Sequence, residues 1–322
     1  MMHRRPLLGA ALALPALTAQ AQASWAPSRP IRMIVPFAAG GVADLTARAV
    51  AARIAERLGQ PVVVDNRPGA GGIVAGQQLM GAPADGHTLL VASNGTAISR
   101  GLFRTLPFDP LRDFAPVVSM GAFPIAVVNA PGSPDADIAA LLARLRANPG
   151  KLNIGTISSG STQNLSAELF KIRTNTRFET IAFPGTPQLI TAMLRGDIDG
   201  AFEITGPIAG QVASGAIRVL AVTSATRARG MPNVPTLTEA GVPDYDVASW
   251  NALVARAGTP AEAIAAINRA VNEALEAGDL RTALTQVGVD PLGGTVAAMG
   301  ALLAADTARW AEVIEKAGIE RQ

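Results

Sequence analysis

The chain has 322 residues, of which 49% are hydrophobic, 4% aromatic and 16% charged, with 32 Gly, 23 Pro and no Cys. This globular composition suits two domains of ordinary size and removes disulfide scaffolds, thiolate metal sites, Cys nucleophiles and lipidated cysteines. Two His leave little for a zinc site or a Ser-His-Asp triad, and a net charge of +2 with no Lys/Arg block speaks against nucleic acid, so neither metal, cofactor nor nucleic acid is expected.

Residues 1 to 23 read as an export signal. Arg4 and Arg5 form a positive start, Leu7 to Leu17 a modest apolar run, and Ala21-Gln22-Ala23 the small-x-small pattern of a cleavage site. The run is far short of the ~20 residues of a membrane span, and Pro15 argues against a buried helix. The expected mature chain starts after Ala23 and resides in the periplasm; Arg4-Arg5-Pro6-Leu7-Leu8 matches a twin-arginine signal in part, which leaves the export route open. Without Arg4 and Arg5, 25 basic residues face 25 acidic ones. Any anion recognised by the mature chain must then be held by local donors, since no overall positive field remains.

Downstream, apolar β-branched runs bounded by turn residues alternate with helical patterns. Ile31 to Phe37, Val62 to Asp65 and Thr88 to Ala92 read as buried parallel strands, with helices at Asp44 to Leu58 and Ile73 to Met80 between them. Val117 to Val128 is a longer extended stretch whose Gly121 and Pro124 suggest a strand that bends or changes sheet. A second cycle follows: strands at Asn153 to Thr156, Glu179 to Phe183, Ile198 to Glu203 and Ile217 to Thr223, and helices at Asn164 to Arg173, Pro187 to Arg195 and Ile208 to Ser214. Val247 to Ala255 is a further strand, and helices at Ala261 to Ala277, Leu280 to Val287 and Val296 to Ala317 close the chain. With almost no strands of its own, that last segment is expected to pack back onto the first half, so the backbone crosses between two lobes twice.

Three strand-to-helix loops in each half correspond in order. Those at Ala38 to Asp44, Asn66 to Gly72 and Ser93 to Thr96 match those at Ile157 to Gln163, Pro184 to Thr186 and Ile204 to Pro207. In open α/β sheets ligands bind outside the carboxyl ends of strands, so two facing lobes would aim all six at one cleft. Helix N-termini present unpaired N–H groups and about half a positive charge, which makes Gly40-Gly41 and Gly160-Ser161 candidate anion cradles. The candidate ligand-binding set is Phe37, Ala39, Gly40, Gly41 and Asp44, then Asn94 and Thr96, then Ser158, Gly160, Ser161, Thr162 and Gln163, then Pro184, Gly185 and Thr186, with Thr205. Asp44, Asn94, Thr96 and the Ser158 to Gln163 side chains serve equally well as helix-end or capping groups. Trp250 reads as core or cleft lining, and His87, after Asp85-Gly86, as a surface turn residue. G-x-S-x-G, H-E-x-x-H and G-x-x-x-x-G-K-[ST] are missing, and Val74 breaks a dinucleotide fingerprint at Gly69-Ala70-Gly71-Gly72.

From about residue 28 onward the chain resembles the Bug receptors, the extracytoplasmic solute-binding proteins of tripartite tricarboxylate transporters. The stretches that carry the resemblance are Arg29 to Phe37, Gly40-Gly41 with Asp44, Asp65 to Gly72, Asp85 to Leu90 and Val234 to Gly241. It implies an α/β, type II-like periplasmic binding protein of two lobes, each a mostly parallel sheet flanked by helices and joined by two crossover strands. Lobe 1 would be residues 24–123 plus 249–322, and lobe 2 residues 124–248. It further implies a monomeric, non-enzymatic receptor that closes on a small organic acid, grips its carboxylate with the loops at Phe37 to Gly41 and Ser158 to Gln163, and hands it to membrane permease components. The chain departs from common family patterns at Ala39, at Pro184, where a lysine is frequent, and at Ser161-Thr162-Gln163-Asn164. Without that lysine a second charged group on the ligand loses a partner. Two other readings are a periplasmic sensor subunit that reports a carboxylate to a membrane signalling protein and, further off, a nucleotide-dependent oxidoreductase.

Overall fold

Ile31, Met33, Ile34 and Val35 are fully buried within one short run, the pattern of a strand covered on both faces, and strand β1 (Ile31–Val35) forms there. A computed structural model of the chain describes residues 25–158 and 160–322; the export signal expected at 1–23 lies outside the described residues. After β1 come α1 (Val42–Leu58), β2 (Val62–Asn66), a 3-10 turn (Ala70–Gly72), α2 (Ile73–Met80), β3 (Thr88–Ser93), α3 (Asn94–Leu102), β4 (Phe114–Asn129) and α4 (Ile138–Ala147). The second cycle is β5 (Asn153–Ile157), α5 (Thr162–Thr174), β6 (Glu179–Phe183), α6 (Thr186–Arg195), β7 (Gly200–Ile204), α7 (Thr205–Ala213) and β8 (Arg218–Val222). The chain then runs through β9 (Ala248–Arg256), α8 (Ala261–Glu276), α9 (Gly278–Gln286), β10 (Asp290–Gly293) and α10 (Val296–Lys316).

The strands follow the order β2-β1-β3-β9-β4-β7-β5-β6, with β10 and β8 both pairing with β4. β1 is parallel to β2 and β3, and β5 is parallel to β6 and β7, while β9 and β4 run antiparallel to their neighbours. Strand β4 changes partners where the sequence suggested. Phe114 to Pro124 lie along β9, and Ile125 to Asn129 along β7 and β8. Pro124, which has no N–H to give to a ladder, stands at the change. The approach to β9 runs beside this change, and Thr223 ties the two segments together. Its hydroxyl bonds the carbonyls of Ile125 (3.1 Å) and Val247 (2.6 Å), and its own carbonyl accepts the Val247 N–H at 2.8 Å.

The C-terminal helices do return to the first cycle. α8 buries Ala263, Ala266, Ile267, Ala270, Val271 and Ala274 at helical spacing against α1 and β4, and α10 lies on α3, β4 and α5. The helix expected to start at the Ser93 to Thr96 loop is α3, whereas α4 and strand β10 were not anticipated. Ser93 and Asp137 start α3 and α4 as side-chain caps, each followed by a short apolar stripe. The strand assigned to Ile198–Glu203 is displaced to Gly200–Ile204, and α1 and α5 each begin two residues early, because Gly41 and Ser161 are the N-caps. His87 is buried instead of lying on the surface. Its Nε2 accepts the Ser28 N–H at 3.2 Å and its ring meets the edge of Trp25, because the Asp85-Gly86 turn folds under the N-terminal segment.

Candidate functional site

The loops after β1 and β5 end in the same device. Gly40 and Gly160 both have positive φ (85° and 77°), and each N–H donates to the side chain four residues on, to Asp44 at 2.9 Å and to Asn164 at 3.0 Å. The positive φ suits glycine. The two loops differ in charge. Asp44 is buried and also accepts from Arg48 (3.0 Å) and from Asn66 (2.9 Å), whose amide bonds the Phe37 carbonyl as well. Burial alone would push the Asp44 pKa up, but the Arg48 guanidinium, the Gly40 N–H and the Asn66 amide outweigh it and hold the carboxyl below the usual aspartate range. Its stabilising contribution is therefore complete above the ordinary aspartate value near 3.8 and is lost as pH falls through the lowered one. Asp44 offsets the positive end of α1, whereas Asn164 leaves that of α5 unopposed.

A cavity of about 620 Å³ opens between the first-cycle loops and the β5–α5 loop. Ser93, Gly95 and Thr96, the N-terminal turn of α3, line one side and Ser158, Gly160 and Ser161, leading into α5, line the other. No acidic residue sits in the first turn of either helix. Ser93 Oγ accepts the Gly95 N–H and Thr96 Oγ1 accepts the Ser93 N–H, both at 3.2 Å, so each hydroxyl keeps its own proton to donate. Ser161 is different: its hydroxyl donates to the Ile157 carbonyl and accepts the Asn164 N–H. Pro36, Phe37, Gly71 and Gly72 form another wall, and Leu90, Ile98, Leu102, Phe103, Phe108 and Phe114 line the rest. Among the described residues no group of His, Asp or Glu could hold a metal ion.

Gly160 also meets the opposite wall. A Cβ placed there would lie 2.7 Å from Leu102 Cδ2. Gly160→Ala is therefore expected to cost about 1–2 kcal/mol from the left-handed backbone alone, and to push Leu102 into the cavity besides. Urea unfolding checks this; wild-type stability in the variant would show that the loop relaxes without strain.

Of the candidate set, Phe37, Thr96, Ser158, Gly160 and Ser161 share this cavity. Ala39, Gly40 and Gly41 are exposed and do not line it, and Asp44 stands behind them in the loop. Thr162 is buried in the first turn of α5. Gln163 and Thr186 turn inward to the buried Glu203, donating to it at 3.0 and 2.9 Å, and the Ile204 N–H adds a third bond at 2.8 Å. Gly185 is the N-cap of α6, next to the exposed Pro184. Thr205 borders a smaller hollow of about 100 Å³ with Pro124, Gly206 and Gly288. Asn94 is fully engaged beneath α3: its amide donates to Ala248 O (3.2 Å) and Asp306 (3.1 Å), and its carbonyl accepts the Trp250 N–H at 2.7 Å. Trp250 is a core residue whose indole N–H also reaches Asp306, at 2.7 Å. The apolar walls from α3, Phe108 and Phe114 escaped the sequence reading, as did Glu203. A lone acid in the apolar run Gly-Ala-Phe-Glu-Ile was the signal for the latter.

This geometry, with loops from both cycles around one hollow, belongs to solute receptors. The family model for the tripartite tricarboxylate transporter family receptor, TctC, matches residues 46–319, and the chain belongs to that family, which comprises receptors and not enzymes. Protein BugT of Bordetella pertussis is 33% identical over 97% of this chain and 96% of its own length. Rpa4515 of R. palustris, solved with adipate, is 34% identical with a TM-score of 0.79 over 92% of this chain and 99% of its own. MatC of Rhodopseudomonas palustris, solved with bound malate, is 30% identical with a TM-score of 0.74, covering 89% and 99%. The fold is thus the mixed α/β fold of periplasmic solute-binding proteins, and no helix among the described residues is long and apolar enough to cross a membrane.

Proposed function

We propose that the chain is a periplasmic receptor that captures a small carboxylate for a tripartite tricarboxylate-type transporter. It would act as a monomer and pass its ligand to membrane permease components. The observation that carries this reading is the cavity whose polar walls are the N-terminal turns of α3 and α5, both free of acid, one from each cycle of the fold. A carboxylate between them meets the Ser93 and Thr96 hydroxyls, whose protons are free to donate, and the positive ends of two helices. Compared with the sequence expectation, the grip moves from Gly40-Gly41, where Asp44 offsets the helix charge, to the α3 turn. Relatives solved with adipate and malate support the ligand class.

In this reading residues 24–123 with 249–322 form one lobe and 124–248 the other, and closure is a hinge motion at Phe123-Pro124 and Asp246 to Ser249. Thermal unfolding of the chain lacking residues 1–23, against a panel of organic acids, tests it. A ligand at a hundredfold excess over its Kd is expected to stabilise the fold by about 2.7 kcal/mol. A broad panel without a single shift overturns the proposal.

A further inference from the structure

We infer that the ligand is a monocarboxylate with an apolar hydrocarbon body, and that a short dicarboxylate is the poorer fit. The inference rests on the reading that this cavity takes a carboxylate, and deepens it by asking what the remainder of the cavity accepts. Most of the polar groups belong to two short stretches, the first turn of α3 and the loop leading into α5. The rest of the lining is dominated by Leu90, Ile98, Leu102, Phe103, Phe108 and Phe114, with Gln322 as a neutral polar neighbour, and none of the side chains around the whole cavity is ionisable. The one further hydroxyl on α3, that of Ser99, donates to the Thr96 carbonyl at 2.8 Å.

A second carboxylate directed onto the apolar wall would give up its hydration mostly for carbon atoms, with no cationic side chain and only the Gln322 amide to replace the lost water; an ionised group in such surroundings is disfavoured. A hydrocarbon body reverses the balance, since it removes apolar wall from water. Size agrees with chemistry. At about 620 Å³ the cavity falls in the range of pockets that enclose ligands much larger than a four-carbon diacid. Phe103, Phe108 and Phe114 present ring surfaces that suit an aryl or a branched alkyl group.

Calorimetric titration of the chain lacking residues 1–23 with 3-phenylpropanoate, hexanoate, adipate and malate separates the possibilities. At least one of the two monocarboxylates is expected to bind ten times more tightly than both diacids. Diacids binding as well or better overturn this inference and leave the receptor reading standing, whereas an absence of binding across these four and a wider panel of organic acids overturns both. Ile98→Phe, which adds bulk at the apolar wall, is expected to weaken the preferred monocarboxylate at least tenfold; unchanged affinity in a variant that unfolds as cooperatively as wild type places the hydrocarbon elsewhere and counts against the inference. If that variant does not fold, the wild-type titrations decide alone.

Discussion

Asp306→Ala is expected to lower the stability of the fold by about 3 kcal/mol, because it removes the acceptor on which three elements converge. Asp306 is almost fully buried on α10. It accepts the Trp250 indole N–H from β9 and the Asn94 amide from the start of α3, and it pairs with Arg309 at 3.2 Å. Alanine leaves the indole N–H buried without a partner and opens a void beside it. Asn94 keeps Ala248 O and Arg309 keeps Asp246 O, which bounds the loss. Asp306→Asn is expected to cost about 1 kcal/mol: one amide oxygen serves both Trp250 and Asn94, while its NH2 faces the half-exposed Arg309. Equilibrium urea unfolding gives the order, and equal stability of the alanine and asparagine variants would refute the hydrogen-bonding account. Burial raises the Asp306 pKa, Asp246 adds to the rise, and the Trp250 indole and Arg309 oppose it. Folding therefore takes up a proton between the ordinary aspartate value of 3.8 and the raised one, so this residue's contribution declines as pH climbs through that window.

Glu203 gives the second large effect, this time at the loops of the second cycle. Burial raises its pKa, and bonds from Gln163, the Ile204 N–H and Thr186 pull it partly back. Glu203→Ala strands those three donors, of which the Gln163 amide is deeply buried, and is expected to cost about 2–4 kcal/mol. Ligand affinity should fall with it, because Gln163 belongs to the first turn of α5, next to the cavity wall. Glu203→Gln retains the oxygen that accepts from Gln163 and Ile204 and turns an NH2 toward the Thr186 hydroxyl, so it is expected to fold as well as wild type at neutral pH. Stability measured from pH 4 to 8 adds a sign. In wild type Glu203 contributes a decline as pH rises from the ordinary glutamate value of 4.5 through the raised one, and in Glu203→Gln that decline is missing. If both substitutions destabilise alike, the charge and not the donor set holds these loops.

Much of the fold was legible because its signals are local. Strands such as Ile31–Val35 and Thr88–Ser93 are short, largely apolar runs bounded by turn residues, and α2 and α6 carry their periodicity within ten residues. The partner change in β4 was announced by Pro124. The site was legible in half. Loop correspondence between the cycles led to Gly160, Ser161 and Thr96, but the apolar walls assemble from α3, Phe108 and Phe114, whose proximity is a tertiary fact. The Asn94–Asp306 contact spans 212 positions, and no local pattern encodes it. The same limit applies at Gly40-Gly41: glycine at a helix start is visible in a sequence, whereas Asp44 closing back on the Gly40 N–H is not.

Thr223 has a mechanical meaning beyond its hydrogen bonds. Two polypeptide connections side by side can behave as independent joints, each with its own twist and its own give. Here one hydroxyl grips both, at Ile125 and at Val247, from a position that solvent does not reach. In the proposed two-lobe reading the pair would turn as one axle, since swivel of one connection against the other must first break a buried bond.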